Sequence, residues 1–218
     1  MCLYRALLFC VLGVWAVGSA SASPITYNVT VNTSSIAGSV GSLDFNFNPG
    51  PLAVQDASVQ ILNVSSDGIF VGSAAVIGNV SGTLPTTLTF DNGTAFNDYF
   101  QEFTFGSTLA FDVSFLGPAL SSPDGVSTSG STFAFSLFSD IAGTLPTLTT
   151  NLADGFAFTV DVNLDGTTTA TNFSSQVTGL PSVSNPLPEP ASIALLAMGF
   201  TIMMRSHRRQ FLKSKRLT

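Results

Sequence analysis

The chain has 218 residues, of which only 9% are charged, with 13 acidic and seven basic residues for a formal net charge of −6. Arg5 lies near the start and the other six basic residues follow position 204, so no Lys, Arg or His occurs between Ser23 and Leu187. A segment without cations does not neutralise phosphates, which argues against nucleic-acid binding. It also lacks the residues for Ser-His, Cys-His or Lys catalysis and for His-ligated metal sites.

The first 22 residues have the pattern of a secretory signal peptide. Arg5 supplies the positive charge, twelve apolar residues cover 6–17, and Ala20 and Ala22 form a small-x-small site with cleavage expected after Ala22. An uncleaved anchor helix is the alternative, which the short apolar run disfavours. We therefore expect the general secretion machinery to export the chain. Both cysteines lie in this segment, so the stability of the exported body depends on a packed core.

Residues 23–177 are predicted to form one all-β domain. Four runs alternate between apolar and polar residues with a period of two, as strands with one buried face do. They are Ile25–Val31, Phe111–Phe115, Phe133–Leu137 and Phe156–Val162. Turn signals separate the strands, namely Asn48–Gly50, Asp67-Gly68, Asp91–Gly93, Pro123–Gly125, Asp154-Gly155 and Asp165-Gly166. This pattern is typical of a single antiparallel β-sandwich or jelly roll, here with about eight to ten strands.

Three further patterns refine this prediction. Sixteen of the 19 Phe lie between Phe45 and Phe173, which indicates a Phe-rich core. Aromatic residues recur at spacings of three and four over Thr94–Gln101 and just after it, which predicts one or two helical turns there.

A short sequence pattern occurs twice in the body. Gly106–Phe111 and Gly130–Phe135 share the pattern Gly-Ser-Thr-x-Ala-Phe. No third copy exists, so a solenoid is not indicated, and we interpret the two copies as similar strands of one sheet.

A calcium-loop motif lies at the end of the last long alternating run. Asp161, Asn163, Asp165 and Gly166 place oxygen ligands at positions 1, 3 and 5 of an EF-hand-type loop, with Gly at position 6. Position 12 is Asn172 instead of the bidentate Glu, and both flanking segments have strand patterns. The sequence therefore favours a β-hairpin that turns at these residues. A calcium site at Asp161, Asn163 and Asp165 is the alternative, and no other cofactor is predicted.

The acidic residues of the body do not predict a catalytic site. Six of its eleven Asp lie in or beside turn signals, where bonding to the local backbone explains them, and Glu102 is its single Glu. A glycosidase-type pair needs only two carboxylates and is compatible with this count, but we expect no enzyme activity.

Carbohydrate binding is favoured over catalysis as an alternative function. Sugar-stacking platforms favour Trp and Tyr, and the body has no Trp and only Tyr27 and Tyr99.

The C-terminal part contains a Ser- and Pro-containing linker at 178–187, a Pro-Glu-Pro motif, an apolar stretch at 191–204 and a basic tail at 205–218. Fourteen residues of helix reach ~21 Å, short of the ~30 Å hydrocarbon core, and snorkelling flanks make up the difference. The basic tail stays in the cytoplasm, so the body faces outward. A buried core helix is the alternative, but it does not explain why every late cation follows the apolar stretch.

Residues 187–209 resemble the PEP-CTERM sorting signal of Gram-negative, exopolysaccharide-producing bacteria. The resemblance rests on the motif, the short helix over 191–204 and the basic cluster, and it departs at Ser206-His207 and in the longer tail. The residues that carry it are Pro188, Glu189, Pro190, Arg205, Arg208 and Arg209. The resemblance implies that an exosortase, a membrane cysteine peptidase, removes the tail near Pro-Glu-Pro. The precursor is then expected in the inner membrane, and the mature form at the cell surface or outside the cell.

The body itself resembles an uncharacterised family of PEP-CTERM proteins through residues 43–50, 97–99 and 130–133. That family has no assigned activity. These expectations describe a secreted, exosortase-processed structural or interaction protein of the cell surface or of the exopolysaccharide matrix of a biofilm. A carbohydrate-binding module that recognises matrix polysaccharide is the alternative.

Overall fold

The structure, a computed structural model, describes residues 24–180, which form two antiparallel β-sheets. About 50% is strand and 4% is helix. The strands are β1 (Ile25–Asn32), β2 (Val40–Pro49), β3 (Ser58–Ser66), β4 (Ile69–Phe70), β5 (Ala75–Ile77), β6 (Val80–Gly82), β7 (Leu88–Asp91), β8 (Asp98–Thr104), β9 (Thr108–Leu116), β10 (Ser131–Phe138), β11 (Phe156–Val162), β12 (Thr168–Asn172) and β13 (Val177–Thr178). A 3-10 turn occupies Ser34–Ile36, and one short helix, α1, occupies Pro118–Ser121.

Each sheet has its own strand order. Sheet I runs β13-β1-β9-β3-β7-β6, and sheet II runs β12-β11-β10-β2-β8-β4, with β5 also pairing with β8. All these pairs are antiparallel. The all-β prediction is therefore confirmed, and the four alternating runs of the sequence lie in β1, β9, β10 and β11.

Phenylalanine rings join the inner faces of the two sheets. Phe111 of β9 lies 5.5 Å from Phe45 of β2 and 5.1 Å from Phe135 of β10, measured between ring centroids. Phe115 of β9 lies 6.2 Å from Phe133 of β10. A fully buried aromatic side chain contributes a large stabilising free energy because it buries a large apolar area, and edge-on contacts between rings add to it. The two sheets thus pack on each other through the Phe-rich core that the composition predicted.

Three details of the sequence interpretation are wrong. The described residues form thirteen strands instead of about eight to ten, because four of them are only two or three residues long. The segment with helical spacing contains β8, in which Tyr99, Gln101 and Phe103 are buried at a period of two. β8 pairs with β2 on one side and with β4 and β5 on the other, and this pairing outweighs a spacing that also fits a helix. The two Gly-Ser-Thr-x-Ala-Phe copies lie in different sheets, since the first enters β9 and the second enters β10.

Several predictions fall on residues outside the described range. They are the signal peptide at 1–22, the linker beyond residue 180, the PEP-CTERM signal at 187–209, its helix over 191–204 and the tail at 205–218. Within residues 24–180, no helix is long and apolar enough to cross a membrane.

Candidate functional site

The predicted sorting and cleavage residues cannot be placed in the fold, because Ala20, Ala22, the Pro188–Pro190 motif and the arginines of the tail lie outside residues 24–180. Their roles stay predictions that rest on the sequence.

The calcium-loop motif forms the turn of a hairpin between β11 and β12. The backbone N–H of Asn163 donates to the carbonyl of Thr167 at 2.9 Å, and the N–H of Gly166 donates to the carbonyl of Asn163 at 3.2 Å. Gly166 has a φ of +83°, which a residue with a side chain rarely adopts. The predicted hairpin is confirmed.

The polar side chains of this hairpin bond to neighbouring threonines. Asp165 Oδ1 accepts from the hydroxyl of Thr167 at 2.6 Å and from its N–H at 3.0 Å, and these bonds lower the pKa of Asp165. Asp161 Oδ1 accepts from Thr132 Oγ1 of β10 at 2.6 Å. Asn163 Nδ2 donates to Thr167 Oγ1 at 2.8 Å. No group of three or more His, Cys, Asp or Glu in the described part of the chain is arranged to hold a metal, and calcium at these residues stays a prediction.

Both tyrosines of the body are core residues. Tyr27 and Tyr99 are each 1% exposed. The hydroxyl of Tyr27 lies 2.7 Å from Thr168 Oγ1, and that of Tyr99 accepts from the N–H of Leu84 at 3.0 Å. Their rings are therefore not available to stack on a sugar.

A cleft opens beside sheet I, next to the start of β3 and the ends of β7 and β9. Its volume is about 310 Å³, at the lower end of the roughly 300–1,000 Å³ that small-molecule sites occupy. The residues that line it come from the start of β3, the end of β7 and the connection from β9 to α1. They are Asp56, Ala57, Ser58, Asp91, Asn92, Gly93, Gly117 and Pro118.

Asn92 fixes the shape of this cleft. It is 5% exposed, and its Oδ1 accepts from the N–H of Ala57 at 2.9 Å. Its Nδ2 donates to the carbonyl of Gln55 and to Ser131 Oγ of β10, both at 2.9 Å. One side chain therefore connects the turn after β7 in sheet I to a central strand of sheet II. A buried amide that satisfies three partners is rigid, which holds the cleft open in one form.

Gly117 brings the connection from β9 to α1 close to the residues that precede β3. Its φ is +111°, and a Cβ placed on it would lie 3.0 Å from Cα of Ala57 and 3.0 Å from the carbonyl oxygen of Asp56. Only glycine permits both the backbone conformation and this approach. The N–H of Ala119 then donates to the Asp56 carbonyl at 3.0 Å.

The charged side chains that line the cleft are both carboxylates, from Asp56 and Asp91. The side chains of Asp56 and Asp91 are exposed, and the described domain has no cation to pair with them. Asp91 Oδ1 accepts from the N–H of Gly93 at 2.8 Å and from Asn79 Nδ2 at 2.7 Å. A carboxylate oriented in this way accepts bonds from hydroxyl groups, so the cleft suits a neutral polyhydroxylated ligand better than an anion.

Sequence reasoning found the turn Asp91-Asn92-Gly93 but not the cleft. The turn signal placed these residues between strands, which is correct for Asn92 and Gly93. The cleft depends on Asp56 and Gly117, which meet the turn only through the order β9-β3-β7 in sheet I. No local pattern specifies that order.

A scan against models of protein families, a search of curated proteins and a search of solved structures each found no match for the chain.

Proposed function

We propose that this protein is exported, processed by an exosortase, and acts at the cell surface or in the exopolysaccharide matrix as a structural or interaction protein without catalytic activity. The observation that carries the proposal is the distribution of charge. All seven basic residues and both strongly apolar segments lie in the two ends of the chain, outside residues 23–187. Cleavage after Ala22 and near Glu189 removes all of them and leaves a body that carries only acidic charge.

The partners follow from the same segments. The general secretion machinery exports the precursor, and the stretch at 191–204 holds it in the inner membrane with the body outward. The exosortase then recognises Pro188-Glu189-Pro190 and releases the body. The body carries eleven Asp and one Glu without a cation between Ser23 and Leu187, and such a charge supports solubility after release.

We also infer that residues 23–177 form a single β-sandwich of the jelly-roll-like kind. The ring contacts between Phe111 of sheet I and Phe45 and Phe135 of sheet II support this assignment. In such a sandwich the core is buried between the sheets, so contacts with other molecules are made by the outer faces and by the cleft.

Mass spectrometry of the protein in the culture medium tests the sorting proposal. We expect a mature C-terminus near residues 187–190 and an N-terminus at Ser23. Glu189→Ala is expected to leave the precursor in the membrane fraction, while Glu102→Ala, which changes the single Glu of the body, is released normally. A secreted form that still contains Arg208-Arg209, or normal release of the Glu189→Ala variant, would contradict the proposal.

Carbohydrate binding is the second candidate function, and the cleft beside Asn92 is the observation that favours it. Exposed carboxylates and a buried amide frame the opening, and no cation lies near them. We infer that its ligand would be a neutral saccharide of the matrix, held through hydroxyl groups.

Binding of the secreted protein to neutral oligosaccharides and to the polysaccharide of the producing cell tests this candidate. Asp56→Ala is expected to weaken binding about tenfold, because one charge-assisted hydrogen bond contributes roughly 1.5 kcal/mol. Asp154→Ala removes another exposed carboxylate, from a turn outside the cleft lining, and should leave binding unchanged. Equal binding by both variants would exclude the cleft as the site.

A further inference from the structure

Sheet II has an open edge beyond β8. β5 and β4 follow one another along the same side of β8, where they pair with residues 98–100 and 103–104. Among the described residues, neither β4 nor β5 has a strand on its other side. This β5 edge, which consists of β4 and β5, therefore presents unpaired backbone N–H and C=O groups to solvent.

The side chains of the β5 edge are apolar and exposed. Val76 is 47% exposed, Ile77 52% and Ile69 64%, and Ala75 is exposed as well. Within residues 24–180, four exposed large apolar side chains lie in strands, and three of them are on this edge. Apolar side chains in water gain free energy when a second strand covers them.

The β5 edge also lacks the charges that keep edge strands apart. No Asp, Glu, Lys or Arg occurs from Gly68 to Phe90, although the body carries twelve acidic residues elsewhere. The same segment includes β6, which follows β5 after a two-residue turn and forms one edge of sheet I. Soluble proteins protect their edges with charged side chains, Pro, bulges or very short strands. The β5 edge has short strands but neither charge nor Pro, and short strands limit the strength of a contact without preventing it.

The acidic charge of the body favours a second copy as the partner of this edge. A cationic partner is drawn to the acidic surfaces, whereas two copies repel each other wherever those surfaces meet. Contact between two uncharged edges avoids this repulsion. Asp98 and Glu102 lie on the next strand, β8, and in the order β8-β5-β5-β8 the two β8 strands are three strand spacings, ~14 Å, apart. This distance exceeds the Debye length of ~8 Å at physiological salt, so their repulsion is largely screened.

We propose that the β5 edge pairs with the same edge of a second copy of this chain, antiparallel and about a two-fold axis at Val76. Val76 then lies opposite Val76 of the other copy, and Ala75 lies opposite Ile77. Such a contact uses the same surface of both copies and closes as a dimer. It forms about two to four backbone hydrogen bonds and buries less than the ~1,200 Å² of a standard interface, so we expect a reversible dimer with a Kd of roughly 10⁻⁵–10⁻³ M. The contact belongs to the body and does not depend on how the chain is sorted.

Analytical ultracentrifugation of the full chain in detergent, over concentrations that bracket the expected Kd, tests the proposal. Val76→Glu places two like charges opposite each other at the axis and should raise the Kd of the dimer at least about tenfold. Val126→Glu is the matched control, because it makes the same change at a valine that is 77% exposed in the connection from α1 to β10. It should leave the Kd unchanged. All variants carry the same apolar ends, so differences between them report on the body.

Disulfide cross-linking tests the register of the pair. With Cys2→Ser and Cys10→Ser the chain has no cysteine of its own, so one introduced cysteine reports on one position. Val76→Cys should give a cross-linked dimer, because opposed residues of antiparallel strands have Cα atoms ~4.5–5.5 Å apart, within the range of a disulfide. Ala75→Cys should cross-link much less, because Ala75 faces Ile77 and lies ~8 Å from Ala75 of the other copy.

Three results would overturn the proposal. The first is a parent chain that stays monomeric over the whole concentration range. The second is an equal loss of the dimer in Val76→Glu and Val126→Glu. The third is a cross-link through Thr171→Cys, at an exposed position of β12, without one through Val76→Cys, since this would move the contact to the other edge of sheet II.

Discussion

Replacing Asn92 with Ala should destabilise the domain far more than replacing an exposed asparagine nearby. The change removes three hydrogen bonds, each with a net value of about 0.5–1.5 kcal/mol. It also leaves the N–H of Ala57 buried without a partner. We therefore expect the free energy of unfolding to fall by about 3 kcal/mol, which corresponds to a Tm roughly 6–12 °C lower for a domain of this size.

Urea unfolding followed by circular dichroism measures this loss. The matched control is Asn79→Ala, because Asn79 is exposed and donates through its amide only to Asp91 at 2.7 Å. Its free energy of unfolding should change by no more than ~0.5 kcal/mol. If the two alanine variants unfold within about 1 kcal/mol of each other, Asn92 does not connect the sheets in the way the geometry indicates.

Asn92→Asp separates the loss of hydrogen bonds from the effect of shape. The carboxylate has the size of the amide but directs a charged oxygen toward the carbonyl of Gln55. Its folded-state pKa should rise above the unfolded value of about 3.9, because the protonated form donates to that carbonyl and the buried charged form is unfavourable. The destabilisation of this variant relative to the parent chain should therefore shrink as the pH falls from 7 toward 4. A destabilisation that is constant over this range would contradict a buried carboxyl at this position.

Three other changes test separate parts of the structure. Phe111→Ala should lower the free energy of unfolding by about 3–5 kcal/mol in urea titrations, since Phe111 contacts three rings, whereas Phe96→Ala, at a side chain 49% exposed, should cost less than half as much. Gly117→Ala should lower the free energy of unfolding by roughly 1–3 kcal/mol, measured as a Tm several degrees lower, because alanine is strained at this φ. Gly125→Ala, at a smaller positive φ and in open space, should lower the Tm less. Hydrogen bonds from the Thr144 hydroxyl and the N–H groups of Leu145 and Thr144 lower the pKa of Asp140, so its contribution to stability is present above about pH 4 and is lost as the pH falls below that value. Asp140→Asn should therefore flatten the fall of Tm on the acid side, and an unchanged acid slope would contradict this assignment.

The strands that could be predicted from the sequence are those whose alternation has a single explanation. The run from Phe156 to Val162 has apolar residues at every second position and turn residues on both sides, and it is β11. The segment around Tyr99 fits two periods, because two residues four apart, such as Tyr99 and Phe103, share a face in a strand as well as in a helix. In such a segment the neighbouring strand decides the structure, and β2 supplies that strand. Local sequence does not contain this information.

Contacts between side chains of different strands depend even more on pairing between distant residues. Asp44 and Asn46 could be assigned to the outer face of a strand, since Leu43, Phe45 and Phe47 alternate with them and are buried. Their approach to Asp98 and Ser136 follows only from the register of β2 with β8 and β10. The cleft depends in the same way on the order of β3, β7 and β9. Alternation along a strand therefore indicates which side chains face outward, but not which outward-facing side chains meet.

One edge of sheet I is formed by β13, the last strand in the described residues. β13 pairs with β1 through Thr178 opposite Thr30 and Val177 opposite Val31, and the N–H of Asn32 donates to the carbonyl of Gln176 at 2.9 Å. The side of β1 that faces away from β9 gains this partner only when residues 177 and 178 are in place, and they are the last residues of the sheet to be made. Unpaired edges attract other strands. A folding chain that has formed the β1–β9 pair but not the β13 pair therefore presents Thr30 and Val31 on an open edge, where a strand of another copy can add.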